Sequence, residues 1–171
     1  MSDISTGALS YRRAIPEDAA SLAHLAQISW RRFESALDPY DWNGLHQALD
    51  KVNYHVLAET SYGIVCEGDK GQIVGMAFLI PRGNATEIFP AHWCYVRMVT
   101  VHPDYHGRNI GRELMQKSIE HARATGERTM GLHTSEIMPA ARHIYESMGF
   151  NLVSELGHRY GKRYWLYRLD L

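Results

Sequence analysis

Cysteine is scarce. The 171 residues hold two, Cys66 and Cys94, with no CxxC spacing. That excludes a disulfide framework and leaves two thiols expected to be buried as small hydrophobes in a reducing compartment. Charge of one sign is lacking too: 18 Lys and Arg oppose 19 Asp and Glu, for a net charge of −1. A nucleic-acid partner held by phosphate neutralisation needs a basic excess and is not expected. No apolar run approaches the roughly 20 residues that span a bilayer, so no membrane association is expected. The opening MSDISTGALSYRRA lacks the basic-then-apolar pattern of a secretory leader. A cytoplasmic protein is the expectation. Ten histidines invite a metal hypothesis, yet there is no HExxH and no tight Cys/His pairing. No metal site is expected. Repeats, low-complexity stretches and linkers are also missing. The chain reads as a single domain over 1–171, with residues 1–10 expected to be flexible.

What is present is an ordered series of elements. Residues 11–13 read as a short strand. Pro16-Glu17-Asp18 opens a helix, with the acids where the helix dipole favours them. A second helix follows Asp38-Pro39, carrying Trp42, Leu45, Leu49 and Val52 on one face, while 29–37 is ambiguous. From Val56 the texture turns strand-like. Strands are expected over 63–67, 73–80 and 93–101, the first two joined as a hairpin by the glycine-containing turn at 67–71. The period then lengthens: Ile110, Leu114, Ile119 and Ala122 share a helical face, closed by Gly126. A strand at 129–134 and a helix from Pro139 to Gly149 follow, then two strands in 150–171. These elements make a mixed α/β (α+β) domain, with a largely antiparallel central sheet of about six to seven strands flanked by about four helices. The passage from 93 to 134 predicts one parallel crossover.

The stretch with chemical content is Val99–Arg112, VTVHPDYHGRNIGR. A strand stops at a proline, turns through Gly107 and Gly111, and enters a helix. Glycines allow close backbone approach, and a helix N-terminus offers unpaired N–H groups and partial positive charge. Together with Arg108 and Arg112 this is a site suited to a diphosphate. There is no GxxxxGK[ST] and no GxGxxG after a first strand, so the common nucleotide loops are not indicated.

The loop resembles motif A of the GNAT acetyltransferase superfamily, Q/R-x-x-G-x-G/A after a strand. Its counterpart here is His106-Gly107-Arg108-Asn109-Ile110-Gly111. His106 stands where Gln or Arg is usual, and Asn109 where the first Gly is usual. Asn is the least costly replacement if that position needs positive φ. Ala141-x-x-Ile144-Tyr145-x-x-x-Gly149-Phe150 resembles motif B, and Tyr11–Ala14 with Glu17-Asp18 resembles the family's opening strand and helix. The family often has Asn three residues before that Ala, where this chain has Met138. The resemblance covers about 11–170.

It implies a GNAT-like fold and an acetyl-CoA-dependent transfer of an acetyl group to a primary amine of a small molecule or peptide, by direct attack. The alternative it leaves open is a catalytically silent acyl-CoA-binding or regulatory module. Acetyl-CoA is implied as co-substrate, its pyrophosphate on the backbone of Gly107–Gly111 beside His106, Arg108, Asn109, Ile110 and Arg112. The pantetheine arm is implied along the free strand edge at Met98, Val99 and Val101, facing the parallel neighbour that ends at Thr134. Tyr145 matches the family tyrosine that protonates the leaving thiolate. The base stays unassigned among His133, Glu136 and Tyr95. The acceptor site is expected among the early helices, the loop at 82–93 and the C-terminal strands, where Trp30, Trp42, Phe89, Trp93, Tyr160 and Trp165 are mostly expected as core packing. Homodimerisation through the C-terminal strands is common in the family.

Overall fold

The computed structural model describes residues 7–171. Seven strands form one sheet in the order β1-β2-β3-β4-β5-β7-β6. They are β1 (Ser10–Arg13), β2 (Tyr62–Glu67), β3 (Ile73–Ile80), β4 (Cys94–Val101), β5 (Thr129–Ser135), β6 (Asn151–Arg159) and β7 (Lys162–Asp170). All neighbouring pairs are antiparallel except β4–β5, which is parallel, as the crossover predicts. Of the stretch expected to be flexible, residues 1–6 lie outside the described residues. Ser10 already pairs with Glu67, and the Gly7 carbonyl accepts a hydrogen bond from Arg108.

Among the described residues five α-helices cover the sheet: α1 (Ala19–Trp30), α2 (Pro39–Asp50), α3 (Tyr54–Thr60), α4 (Ile110–Ala124) and α5 (Pro139–Ser147). The ambiguous stretch after α1 is a 3-10 segment, Arg31–Ala36. α3 corrects the sequence reading, which placed strand texture from Val56. Asn53 caps α3 by accepting from the Val56 N–H at 3.1 Å, and Tyr54, Leu57 and Ala58 bury one face. Seven residues with a β-branched Val give a weak periodic signal, and burial of that face decides the outcome.

Strand alternation divides the core. On one face Ile64, Cys66, Val74, Ala77, Cys94 and Val96 meet Leu114, Met115, Ile119 and Ala122 of α4 and Tyr145 of α5. On the other, Val65, Met76, Phe78 and Tyr95 meet Leu22, Leu25 and Ala26 of α1 and Leu57 of α3. Both cysteines are free and buried. Leu114 is fully buried, so truncating it to Ala costs about 2–5 kcal/mol. Arg12 fastens the sheet's first edge, with two guanidinium nitrogens on Asp18 at 2.8 and 2.9 Å and a third on Glu67 at 2.7 Å. No helix among the described residues is long and apolar enough to cross a membrane.

Candidate active site

The parallel pair β4–β5 begins together and then separates. Cys94 faces Met130 and Tyr95 faces Gly131, and the two strands share no further pairs. β5 instead continues along β7 as far as Ser135↔Tyr164. β4 turns away at a bulge. Phe78 faces Arg97 and Met76 faces Thr100, so Met98 and Val99 stand opposite the single Ala77. Met98 takes the rare φ of 57°, the backbone cost of that extra residue. The divergence opens a cleft of about 460 Å³ through the sheet, whose walls include Met98, Val99, Thr134, Met138 and Tyr145.

Tyr145 reaches the cleft from α5. Its ring packs edge-on against Phe150, with centroids 6.0 Å apart. The next residue of α5, Glu146, accepts from the Tyr167 hydroxyl at 2.6 Å, and Arg142 one turn earlier donates to that hydroxyl at 3.1 Å. These bonds fix the helix that carries Tyr145. Burial pushes the Tyr145 phenol far above its ordinary value, so it holds its proton throughout the neutral range. The Thr134 hydroxyl is buried in the cleft wall without a hydrogen-bond partner among the described residues.

At the end of β4, His102-Pro103 starts a short 3-10 turn, and the chain passes through Gly107 and Asn109 into α4. Gly107 has φ 76° and Asn109 φ 64°, so the position flagged for positive φ does adopt it. Asn109 makes no side-chain capping bond, and the first N–H groups of α4 have no acceptor within the helix. Gly111 is different. A Cβ there would meet Ile144 and Val101 atoms only at 3.8 Å, an ordinary contact. Neither its backbone nor its protein neighbours demand glycine. Arg108 donates to the Gly7 carbonyl at 2.8 Å and lies over the Tyr105 ring, while Arg112 donates to Ser147 Oγ at 2.7 Å. Both guanidiniums are thus held beside the loop.

His106 brings in a partner that sequence reasoning missed. Its Nε2 lies 3.2 Å from the Val101 carbonyl, which can only accept, and its Nδ1 lies 3.2 Å from Arg32 Nη1. The imidazole therefore donates from Nε2 to that carbonyl, while Arg32 Nη1, also 3.3 Å from Nε2, sits against the ring and not on one nitrogen. Arg32 lies in the 3-10 segment after α1, where the sequence pattern was ambiguous.

Of the three base candidates, Tyr95 and His133 line the cleft and Glu136 does not. Glu136 instead accepts from the Arg163 backbone N–H at 2.9 Å. Burial, with the charges of Arg159 and Arg97, pushes His133 down to about 4, so it is neutral at pH 7. Among the aromatic candidates, Trp30, Phe89 and Tyr160 reach the cleft. Trp93 is core, Trp42 packs with the Leu45/Leu49 cluster, and Trp165 lies against Arg142 at 3.8 Å. Phe89 is delivered by the loop before β4, where Thr86 Oγ1 accepts from the N–H groups of Ile88 and Phe89. Among the described residues, no three His, Cys, Asp or Glu side chains gather into a ligand set.

Comparison with known proteins decides the family. The family model described as Acetyltransferase (GNAT) family matches residues 22–150. This chain belongs to the GNAT acetyltransferase family. The GNAT match takes in the loop at 106–111 and the helix bearing Tyr145. The L-amino acid N-acyltransferase MnaT of Escherichia coli (strain K12) is 32% identical over 71 residues, 40% of this chain and 40% of its own length. The probable N-acetyltransferase camello of Xenopus tropicalis is 29% identical over 117 residues, 66% of this chain and 51% of its own. The matched parts thus span about half or less of these relatives. Among solved structures, the PaiA N-acetyltransferase of Thermoplasma acidophilum, in complex with coenzyme A, superposes with a TM-score of 0.77 at 14% identity, covering 96% of this chain and 99% of that one. YncA of Salmonella typhimurium, with acetyl-CoA, gives 0.67 at 19% identity, covering 95% and 94%. Both share the GNAT fold seen here.

Proposed function

We propose that this protein is an acetyl-CoA-dependent N-acetyltransferase that acylates a primary amine of a small molecule or peptide by direct attack. The observation that carries the reading is the cleft through the sheet. It joins the unpaired edge of β4 at Val99 to the buried phenol of Tyr145. The names of the coenzyme-bound structures and of the curated relatives support the donor and the reaction class.

The residues present fit the donor. Gly107, Arg108, Asn109, Ile110 and Gly111 would hold the pyrophosphate on backbone N–H groups, with Arg112, Arg32 and His106 beside them. At Gly111 a Cβ would meet Ile144 and Val101 at an ordinary 3.8 Å, so no protein contact demands glycine there, which is consistent with a ligand needing the close backbone approach. Met98, Val99 and Val101 would hold the pantetheine amides, and Thr134 Oγ1 would gain the partner it lacks. Acetyl-CoA supplies a thioester when bound. The amine nitrogen forms the new C–N bond as the C–S bond breaks. Tyr145 holds the proton that the departing thiolate takes, and the strongly raised pKa suits donation rather than base work. A backbone N–H of the β4 bulge, that of Val99, would polarise the acyl carbonyl. No base is assigned. We also read the protein as cytoplasmic, on its two buried free thiols. The homodimer common in the family would use the edge strand β6, where Leu152 and Val153 are exposed.

Calorimetric titration with acetyl-CoA and with CoA tests the reading, on the native chain and on Gly111→Trp and Tyr145→Phe. Binding lost in Gly111→Trp and kept in Tyr145→Phe, with thiol release in the presence of an amine fast in the native chain and about 100-fold slower in Tyr145→Phe, is the expected result. No binding at millimolar ligand overturns it. Binding without thiol release from any amine returns the silent-module alternative.

A further inference from the structure

The cleft has two sides, and they differ in charge. Tyr145 belongs to the core on the α4 and α5 side of the sheet. Arg97 stands two residues after Tyr95 on β4, before the bulge, and so points with Tyr95 to the α1 and α3 side. His133 on β5 shares that side, its ring 6.1 Å from Phe89 and 6.0 Å from Tyr164. Arg159, at the end of β6, lines the same cleft. Arg97, His133 and Arg159 line one cleft, and the charges of both arginines add to burial in disfavouring the charged imidazole.

Neither arginine is paired. Among the described residues, no ion pair or side-chain hydrogen bond engages Arg97 or Arg159. The cleft wall has one carboxylate, Glu87, exposed on the loop before β4. Elsewhere this protein pairs half-buried arginines closely, as with Arg12 on Asp18 and Glu67. A half-buried guanidinium left without an anion is costly unless a ligand supplies one. His133 Nδ1 is also buried there without a hydrogen-bond partner among the described residues.

We infer that the acceptor amine carries a carboxylate, and that Arg97 and Arg159 bind it on the side of the sheet opposite Tyr145. This inference rests on the acetyltransferase reading and adds the acceptor class to it. Two guanidiniums lining one cleft match a carboxylate, and the aromatic walls of Phe89, Tyr95 and Tyr164 suit an apolar substituent beside it. The cleft is small, so the acceptor is a compact amino acid rather than a polycation. Two arginines facing the acceptor repel polyamines.

The test compares matched acceptors in thiol release with acetyl-CoA: L-methionine, L-leucine and L-phenylalanine, each against its amide. Amidation raises the share of neutral amine at pH 7.5, so amine reactivity alone favours the amides. The expected result is at least a tenfold higher kcat/KM for the acids. Arg97→Gln and Arg159→Gln each lose that preference through KM, while Arg97→Lys restores part of it. Amides used as well as acids, or variants that depress acids and amides alike, overturn the inference. Direct titration of N-acetyl-L-phenylalanine against N-acetyl-L-phenylalaninamide gives a second readout that needs no donor. Binding of the acid alone, lost in both Gln variants, supports the carboxylate site even if acetyl-CoA fails to bind; that failure would sink only the acetyltransferase reading. Equal binding of acid and amide, or of neither, overturns the carboxylate site whatever acetyl-CoA does.

Discussion

Arg32 Nη1 lies 3.2 Å from Nδ1 of His106, although 74 residues separate the two in sequence. The other ring nitrogen of His106 is tied to the Val101 carbonyl at 3.2 Å, so the imidazole links Arg32 to the end of β4. The motif position that usually carries Gln or Arg thus acquires a permanent cation from a distant segment. The charge is exposed, and its effect should be modest and salt-sensitive. Arg32→Ala is expected to weaken acetyl-CoA binding about 2–5-fold in low salt, with kcat unchanged. Titration at two ionic strengths checks this, and an affinity that does not move removes Arg32 from the donor site.

Tyr145→Phe keeps the ring that packs on Phe150 and removes only the acidic proton. Donor affinity and melting temperature should stay near native values. The acyl-transfer rate should fall about 100-fold, the lower end of what a positioned general acid contributes. A native rate in this variant would leave Tyr145 as packing alone.

Gly111 and Asn109 should respond in opposite ways to alanine. Gly111→Ala has room for its Cβ and sits in the first turn of α4, so stability should hold or rise by about 0.5 kcal/mol. Its acetyl-CoA affinity should nevertheless drop about tenfold, if the pyrophosphate needs the close backbone approach that glycine allows (about 1.4 kcal/mol). Asn109→Ala must hold Ala at φ 64° and should lose about 1 kcal/mol of stability, whereas Asn109→Gly should not. Thermal melts paired with titrations separate the two effects. Gly111→Ala with native affinity would mean that the close approach is incidental.

His133 sets a pH dependence whose sign is fixed by the direction of its shift. Its pKa falls from 6.5 to about 4 on folding. Well above pH 6.5 the ring is neutral in both states and adds no slope. As pH falls from 6.5 toward 4, the unfolded chain takes up a proton that the folded chain refuses, and stability drops. The loss is on the order of 2 kcal/mol. In His133→Gln this component disappears, so urea midpoints at pH 7 and pH 4.5 should lie closer together than in the native protein. An unchanged separation would show that His133 is protonated as readily folded as unfolded.

Local sterics made much of this protein legible in its sequence. Pro103, Gly107 and Asn109 dictate the turn before α4 because few residues accept those backbone angles, and both positive-φ positions are found as the pattern requires. The continuous apolar run over 73–80 and the 3.6 period over 110–124 place β3 and α4, because the central strand buries both faces and the helix buries one. The separate motifs around Gly107 and Tyr145 were readable for the same local reason. Tertiary structure alone decided the rest. It folded Tyr54–Thr60 into a helix against a sheet face that a seven-residue segment cannot reveal. It separated β4 from β5, a matter of register between strands that are distant in sequence. It also carried Arg32 to His106 and gathered Arg97, His133 and Arg159 around one cleft. A lone arginine inside the apolar run of β4 was the only sign of that charge in the sequence. Its meaning depends on what faces it, and no local pattern encodes contacts closed across the whole chain.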